Sequence, residues 1–321
     1  MDTHAHTPWN RVSHPYPPHF LIHLSISLPD FPQPLLWYPP PRVPTDHSFI
    51  RDVTARGTRT RVVEAGDGAP LVLIHGFLGT HRVFDDVFST LARTFHVLAI
   101  DLPGFGDSEK PPPSRFNYNI ETFSEVVADV ISALNVGPSH VLGHGLGGAV
   151  ALNLAALHAE FVDRLVLVAP QILPHNPSSR TRLFLMPLLG AFFFKQVFGC
   201  SMFRGYFNAD VYGPGHAVPL ERIDSFFASF NSPAARESAY AVLRASLDTR
   251  TSVARLGRVR APTLVVWGRA DCLLSPQDAP KLVRQMSCAH MEFIDSGHSP
   301  QEERPDGFAE IVQRFLLGQR Q

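Results

Sequence analysis

Apolar residues along the chain fall into two patterns. Short unbroken runs have the length and content of strands buried on both faces: LVLIH at 71–75, HVLAID at 96–101, HVLGH at 140–144, RLVLVAP at 164–170, TLVVWG at 263–268 and MEFID at 291–295. Between them stand segments with apolar residues at helical spacing. These are HRVFDDVFSTLA at 81–92, ETFSEVVADVISALN at 121–135, GGAVALNLAALH at 147–158, PQDAPKLVRQM at 276–286 and PDGFAEIVQRFLL at 305–317. Ahead of them, SFIRDVTARG and TRTRVVEAG read as two strands of a hairpin. The alternation predicts a mostly parallel, doubly wound sheet of eight strands with helices on its faces.

The alternation stops between about 171 and 254, a segment with ten phenylalanines and no clear strand. It reads as a helical insertion between two adjacent strands. Ligands of open parallel sheets bind at the carboxyl ends of strands, so an insertion there would cap the site as a lid. Its phenylalanines, Phe192 and Phe193 among them, are expected to line a pocket. The run LFLMPLLGAFFFKQVF at 183–198 is too short to span a bilayer and is broken by Pro187 and Lys195. No membrane-surface contact through the lid is expected.

Composition changes this picture mainly at the amino end. Residues 1–45 hold eleven prolines and five of the sixteen histidines. Proline removes backbone donors and cannot continue a helix or sheet, so a disordered tail is expected, followed by one domain over 46–321. The net charge is −1 with no Lys/Arg run, which argues against a nucleic-acid partner. Cys200, Cys272 and Cys288 are odd in number, lack metal-ligand spacing and read as reduced thiols of a cytoplasmic protein. No motif calls for a metal, nucleotide or flavin, so no cofactor is expected.

Four stretches stand at carboxyl ends of predicted strands: HGFLG (75–79), GHGLGG (143–148), WGRADCLL (267–274) and DSGHSPQEERP (295–305). With the loop DLPGFGDSEKP (101–111) they resemble the α/β-hydrolase superfamily. Its lidded members include epoxide hydrolases, haloalkane dehalogenases, carbon–carbon bond hydrolases and esterases. The resemblance covers residues 48 to 318. It implies that Gly143, Gly145 and Gly147 form the turn carrying the nucleophile, with Gly145 at the nucleophile's place. It further implies oxyanion-hole N–H groups at Phe77 and Leu146, an acid at Asp271 and a base at His298. His144 is implied as a packed residue beside the turn, bordering the substrate with Phe77. Asp107 and Ser108 are expected to shape their loop, and Cys272 stands away from the turn.

Gly145 has no side chain and cannot form an acyl-enzyme, which closes the ordinary serine route. Three readings follow. The protein is an enzyme acting on a small, mostly apolar acyl or carbonyl compound through a His298–Asp271 dyad and an oxyanion hole, by non-covalent hydrolysis, elimination or lyase-type chemistry. It is a catalytically inactive relative that binds ligands. Or it is a serine ester hydrolase whose nucleophile has been replaced by glycine.

Overall fold

The computed structural model describes residues 48–319 with the exception of 217. The expectation for residues 1–45 lies outside them. The strands are β1 (Phe49–Ala55), β2 (Thr58–Ala65), β3 (Ala69–Ile74), β4 (Phe95–Ile100), β5 (Ser139–His144), β6 (Val162–Val168), β7 (Thr263–Gly268) and β8 (Ala289–Ile294). They form one sheet in the order β1-β2-β4-β3-β5-β6-β7-β8. The β1–β2 and β2–β4 pairs are antiparallel, and every pair from β4 to β8 is parallel. The eight-stranded, mostly parallel sheet of the sequence reading is the sheet observed.

The central strands are apolar throughout because both faces are covered. Leu71, Leu73, Ile74, Val141, Leu142, Leu165 and Val166 are fully buried. On the faces lie α1 (Asp85–Ala92), α2 (Ile120–Leu134) and α3 (Leu146–Leu157). Helix α2 starts where the Asn119 side chain accepts the Thr122 N–H, and ends at Asn135, whose left-handed φ of 52° breaks the helix. Helix α3 is apolar on nearly all sides, since β5, β6 and α2 surround it.

Between β6 and β7 the chain leaves the sheet and forms α4 (Ser179–Phe184), α5 (Gly190–Phe192), a π turn at Phe193–Val197, α6 (Cys200–Tyr206), a second π turn at Phe207–Val211, α7 (Leu220–Phe230), α8 (Pro233–Ala245) and α9 (Arg250–Arg255). This is the helical insertion expected from the sequence. Its core is aromatic: Phe194, Phe198, Phe203 and Phe230 pack ring on ring with centroids 5.5–5.7 Å apart. The chain closes with α10 (Asp278–Val283), α11 (Pro300–Glu303) and α12 (Pro305–Leu316). Among the described residues no helix is long and apolar enough to cross a membrane.

Strand order positions the site. From β3 the chain runs to β4 on one side of it and then returns to β5 on the other. Ile74 pairs with Gly143, so the loops after β3 and β5 emerge side by side. Gly268 pairs with Ile294, and the loops after β7 and β8 do the same.

Candidate active site

Gly145 lies between β5 and α3 with φ 54° and ψ −113°, a combination that side chains avoid. The three glycines of the turn differ in what surrounds them. A Cβ on Gly143 would lie 2.1 Å from the Gly147 carbonyl oxygen, and one on Gly147 would lie 2.3 Å from that of Ile74. A Cβ on Gly145 would meet only the tip of His298, 3.2 Å from Nε2, with the Gly76 Cα at 3.8 Å. The flanking positions are closed by backbone; the central one opens toward an imidazole.

That imidazole is fixed from behind. His298 Nδ1–H donates to Asp271 Oδ2 at 2.8 Å. The same oxygen accepts from Trp267 Nε1 at 2.9 Å. Asp271 Oδ1 accepts the Leu273 and Leu274 N–H groups, each at 2.9 Å. Three N–H groups besides the ring, from Trp267, Leu273 and Leu274, already donate to the carboxylate, so its remaining acceptor position takes Nδ1–H of the ring. The tautomer follows: the lone pair stands on Nε2, facing Gly145. The main chain of His298 is held too, its N–H by the Val211 carbonyl at 2.8 Å and its carbonyl by His144 Nε2 at 2.9 Å.

His144 therefore supports the loop of His298. Burial, and then the nearby His298 ring, push its pKa well below the ordinary value, and it stays neutral. His75 is likewise neutral because of burial. Its Nε2 accepts the Leu102 N–H at 3.0 Å, and its Nδ1–H donates to the Gly76 carbonyl at 2.8 Å, which shapes the turn leading into Phe77. Phe77 and Leu146 both border the cavity, and among the described residues neither backbone N–H has an acceptor. The 101–111 loop is organised as the sequence suggests. Ser108 Oγ donates to the Asp101 carbonyl at 2.6 Å, and Asp107 N–H donates to Asp101 Oδ2 at 2.8 Å.

Residues 69–305 match the family model described as the alpha/beta hydrolase fold. The chain belongs to this family. A 2-hydroxymuconate semialdehyde hydrolase of Pseudomonas sp. (strain CF600) is 28% identical over 287 residues, covering 83% of this chain and 93% of that protein. A pimeloyl-[acyl-carrier protein] methyl ester esterase of Aeromonas hydrophila subsp. hydrophila is 28% identical over 257 residues, covering 78% and 96%. Among solved structures, a serine hydrolase involved in carbazole degradation superposes with a TM-score of 0.71 at 26% identity, covering 84% of this chain and 99% of its own. The relatives of this α/β hydrolase thus include carbon–carbon bond hydrolases and esterases.

A cavity of about 340 Å³ lies between the strand ends and the insertion, bordered by Phe77, His144, Gly145, Leu146 and His298. The assignment of Phe192 and Phe193 to its wall needs correction. Phe192 is 56% exposed, and neither residue borders the cavity. Phe184, Phe194, Phe198 and Phe207 do. The reason is phase: α5 gives way to a π turn at Phe193, so the inward direction moves on to Phe194 and Phe198. Cys272 is exposed and does not border the cavity. Among the described residues no group of His, Cys, Asp and Glu has metal-site geometry.

Three acidic or aromatic residues near the dyad escaped sequence reasoning. Trp267 holds the acid, as above. Glu303 Oε2 accepts the N–H groups of Gly213 at 2.9 Å and Gly297 at 2.8 Å, tying the insertion to the His298 loop. Glu302 borders the cavity, accepts from Ser299 Oγ at 2.5 Å and from the Tyr212 hydroxyl at 3.3 Å, and has Arg222 at 3.8 Å. Both glutamates stand in the QEE of the quoted loop, a signal visible but without a periodicity to interpret it.

Burial pushes the Glu302 carboxyl up from 4.5 to about 7, against the pull of Arg222 and Ser299. A carboxyl raised on folding binds more protons folded than unfolded between those two values. Stability therefore falls as pH rises from about 4.5 to about 7 and levels off above. Glu302→Gln keeps the shape and removes the titration. Relative to the parent, the variant is expected to gain on the order of 2–3 kcal/mol between about pH 5 and pH 8. Urea denaturation across that range reads it, and parallel curves for the two proteins would refute the buried titration.

Proposed function

We propose that this α/β hydrolase cleaves a small, mostly apolar acyl or carbonyl compound without a covalent intermediate. His298 acts as general base with Asp271 behind it, and water takes the place of a side-chain nucleophile. The observation that carries the reading is the 3.2 Å between His298 Nε2 and the position of a Cβ on Gly145. A base whose lone pair faces a site with no hydroxyl is placed to deprotonate a water or a substrate there.

The steps follow from the geometry. Water gives a proton to His298 Nε2 as its oxygen bonds to the carbonyl carbon. The developing oxyanion is received by the Phe77 and Leu146 N–H groups, which have no other acceptor among the described residues. Collapse breaks the bond to the leaving group, an alkoxide or a stabilised carbanion, which takes the proton back from His298. The aromatic wall and the modest volume favour an apolar acyl chain or ring. Relatives that hydrolyse a 2-hydroxymuconate semialdehyde and a methyl ester support these two bond classes.

The test is a screen of esters, lactones, epoxides and 1,3-diketones, followed by intact-mass spectrometry during turnover. The expected result is an activity that resists fluorophosphonates and shows no acyl adduct. An adduct at any residue, or inhibition by the fluorophosphonate, refutes the non-covalent route. The same 3.2 Å favours a second reading, a serine-hydrolase site that lacks only its hydroxyl. Restoring that hydroxyl separates the two.

A further inference from the structure

The outer surface of the insertion carries large apolar side chains in water. Leu188 is 99% exposed, Phe192 56%, Leu189 51%, and Met186 and Val197 44% each. All five come from one stretch, where α4, α5 and the π turn follow one another with no long helix. Leu188 is held outward at a positive φ of 66°, which a non-glycine residue adopts only at a cost of about 1–3 kcal/mol. Large apolar side chains exposed together in one short stretch are a feature of interaction sites.

Charge indicates what it meets. Residues 171–209, the first part of the insertion, contain four Lys or Arg and no Asp or Glu. Lys195 and Arg204 are paired with Glu237 and Asp224 of α8 and α7. Arg182 is exposed, and its guanidinium meets the Pro177 carbonyl and no carboxylate among the described residues. The patch is therefore apolar with an uncompensated cation at its edge. An anionic lipid surface satisfies both features, taking leucine and phenylalanine into the acyl boundary and arginine at the phosphates.

The patch also backs onto the cavity. Phe184, Phe194, Phe198 and Met202 of the same stretch border the cavity, and Met202 is itself 37% exposed. We propose that the insertion lies on anionic phospholipid membranes through Leu188, Leu189 and Phe192, with Arg182 at the headgroups. The length of the 183–198 run excludes a span but not a segment lying in the interface plane, so this proposal departs from the expectation of no membrane contact. The inference does not depend on the chemistry at Gly145.

Flotation of the full chain with vesicles provides the test, using phosphatidylcholine alone and phosphatidylcholine mixed equally with phosphatidylglycerol. Binding to the mixed vesicles is expected, weakened by salt and by Arg182→Glu. The double change Leu188→Asp, Phe192→Asp should reduce it at least about tenfold while leaving the melting temperature unchanged, since both residues face water. A second readout uses Leu188→Trp, whose emission should shift to the blue on adding mixed vesicles. No flotation of the parent, flotation unaffected by the double change, or bound Leu188→Trp without a blue shift would each overturn the proposal. So would a dimer in sedimentation that the double change disperses while vesicles stay unbound.

Discussion

Gly145→Ser is expected to hydrolyse p-nitrophenyl acyl esters through an acyl-enzyme and to be labelled by a fluorophosphonate at residue 145, while the parent takes no label and forms no acyl adduct. The argument is steric and electrostatic. Residue 145 is the one glycine of the turn whose side-chain direction is free of backbone, and what lies along it is His298 Nε2 at 3.2 Å from the Cβ position. A hydroxyl added there comes within hydrogen-bond reach of a nitrogen whose lone pair is fixed by Asp271. The distance is a few tenths of an ångström short, so the ring must give slightly. Misplacement of about 1 Å can cost roughly 10²-fold, which limits how close the variant comes to an evolved serine enzyme. Serine at φ 54° also introduces strain of about 1–3 kcal/mol, readable as a lower melting temperature. High esterase activity would assign the parent to the second reading, a serine site without its hydroxyl. Labelling with slow turnover would fit a cavity shaped for water. A folded variant that takes no label would show that turn, base and oxyanion donors do not converge, and the site as described would be wrong.

Much of this geometry is legible in the sequence, for a physical reason. Strands buried on both faces must be continuously apolar, so β3, β5, β6 and β7 announce themselves within two residues at either end. The turn at Gly143–Gly147 is legible because backbone crowding leaves no alternative to glycine at its flanks. Asp271 and His298 are legible because each stands within four residues of a strand's carboxyl end. The insertion is not legible at the level of single residues. Its helices are three to thirteen residues long and two π turns interrupt them, so the 3.6-residue phase is lost and inward and outward phenylalanines cannot be told apart. Phe192 and Phe194, two residues apart, end up 56% and 1% exposed. Glu302 and Glu303 were hidden differently. Their partners, Tyr212, Arg222 and Gly213, lie eighty to ninety residues away in the insertion, and only the fold brings them together.

His298→Ala is expected to lower the rate on any substrate found by about 10²–10⁴, the usual worth of a positioned acid–base group. The alternative dyad variant is less clean. Asp271→Ala strands the N–H groups of Leu273 and Leu274 and leaves the Trp267 indole N–H only the Leu274 carbonyl at 3.3 Å, so it costs stability as well as rate. In His298→Ala the carboxylate keeps those three donors, so the fold around it stays satisfied. The removed ring leaves a space beside Gly145 that opens to the cavity, and added imidazole should enter it and restore part of the rate. Affinity for a competitive apolar ligand should change little, because the aromatic wall formed by Phe184, Phe194 and Phe198 is untouched. This separates the dyad's chemistry from its packing: a packing defect would weaken ligand binding and would not respond to imidazole. In the Gly145→Ser background the same change should abolish fluorophosphonate labelling, since the serine would lose its base. An activity that survives His298→Ala intact would mean that the reaction does not pass through this histidine.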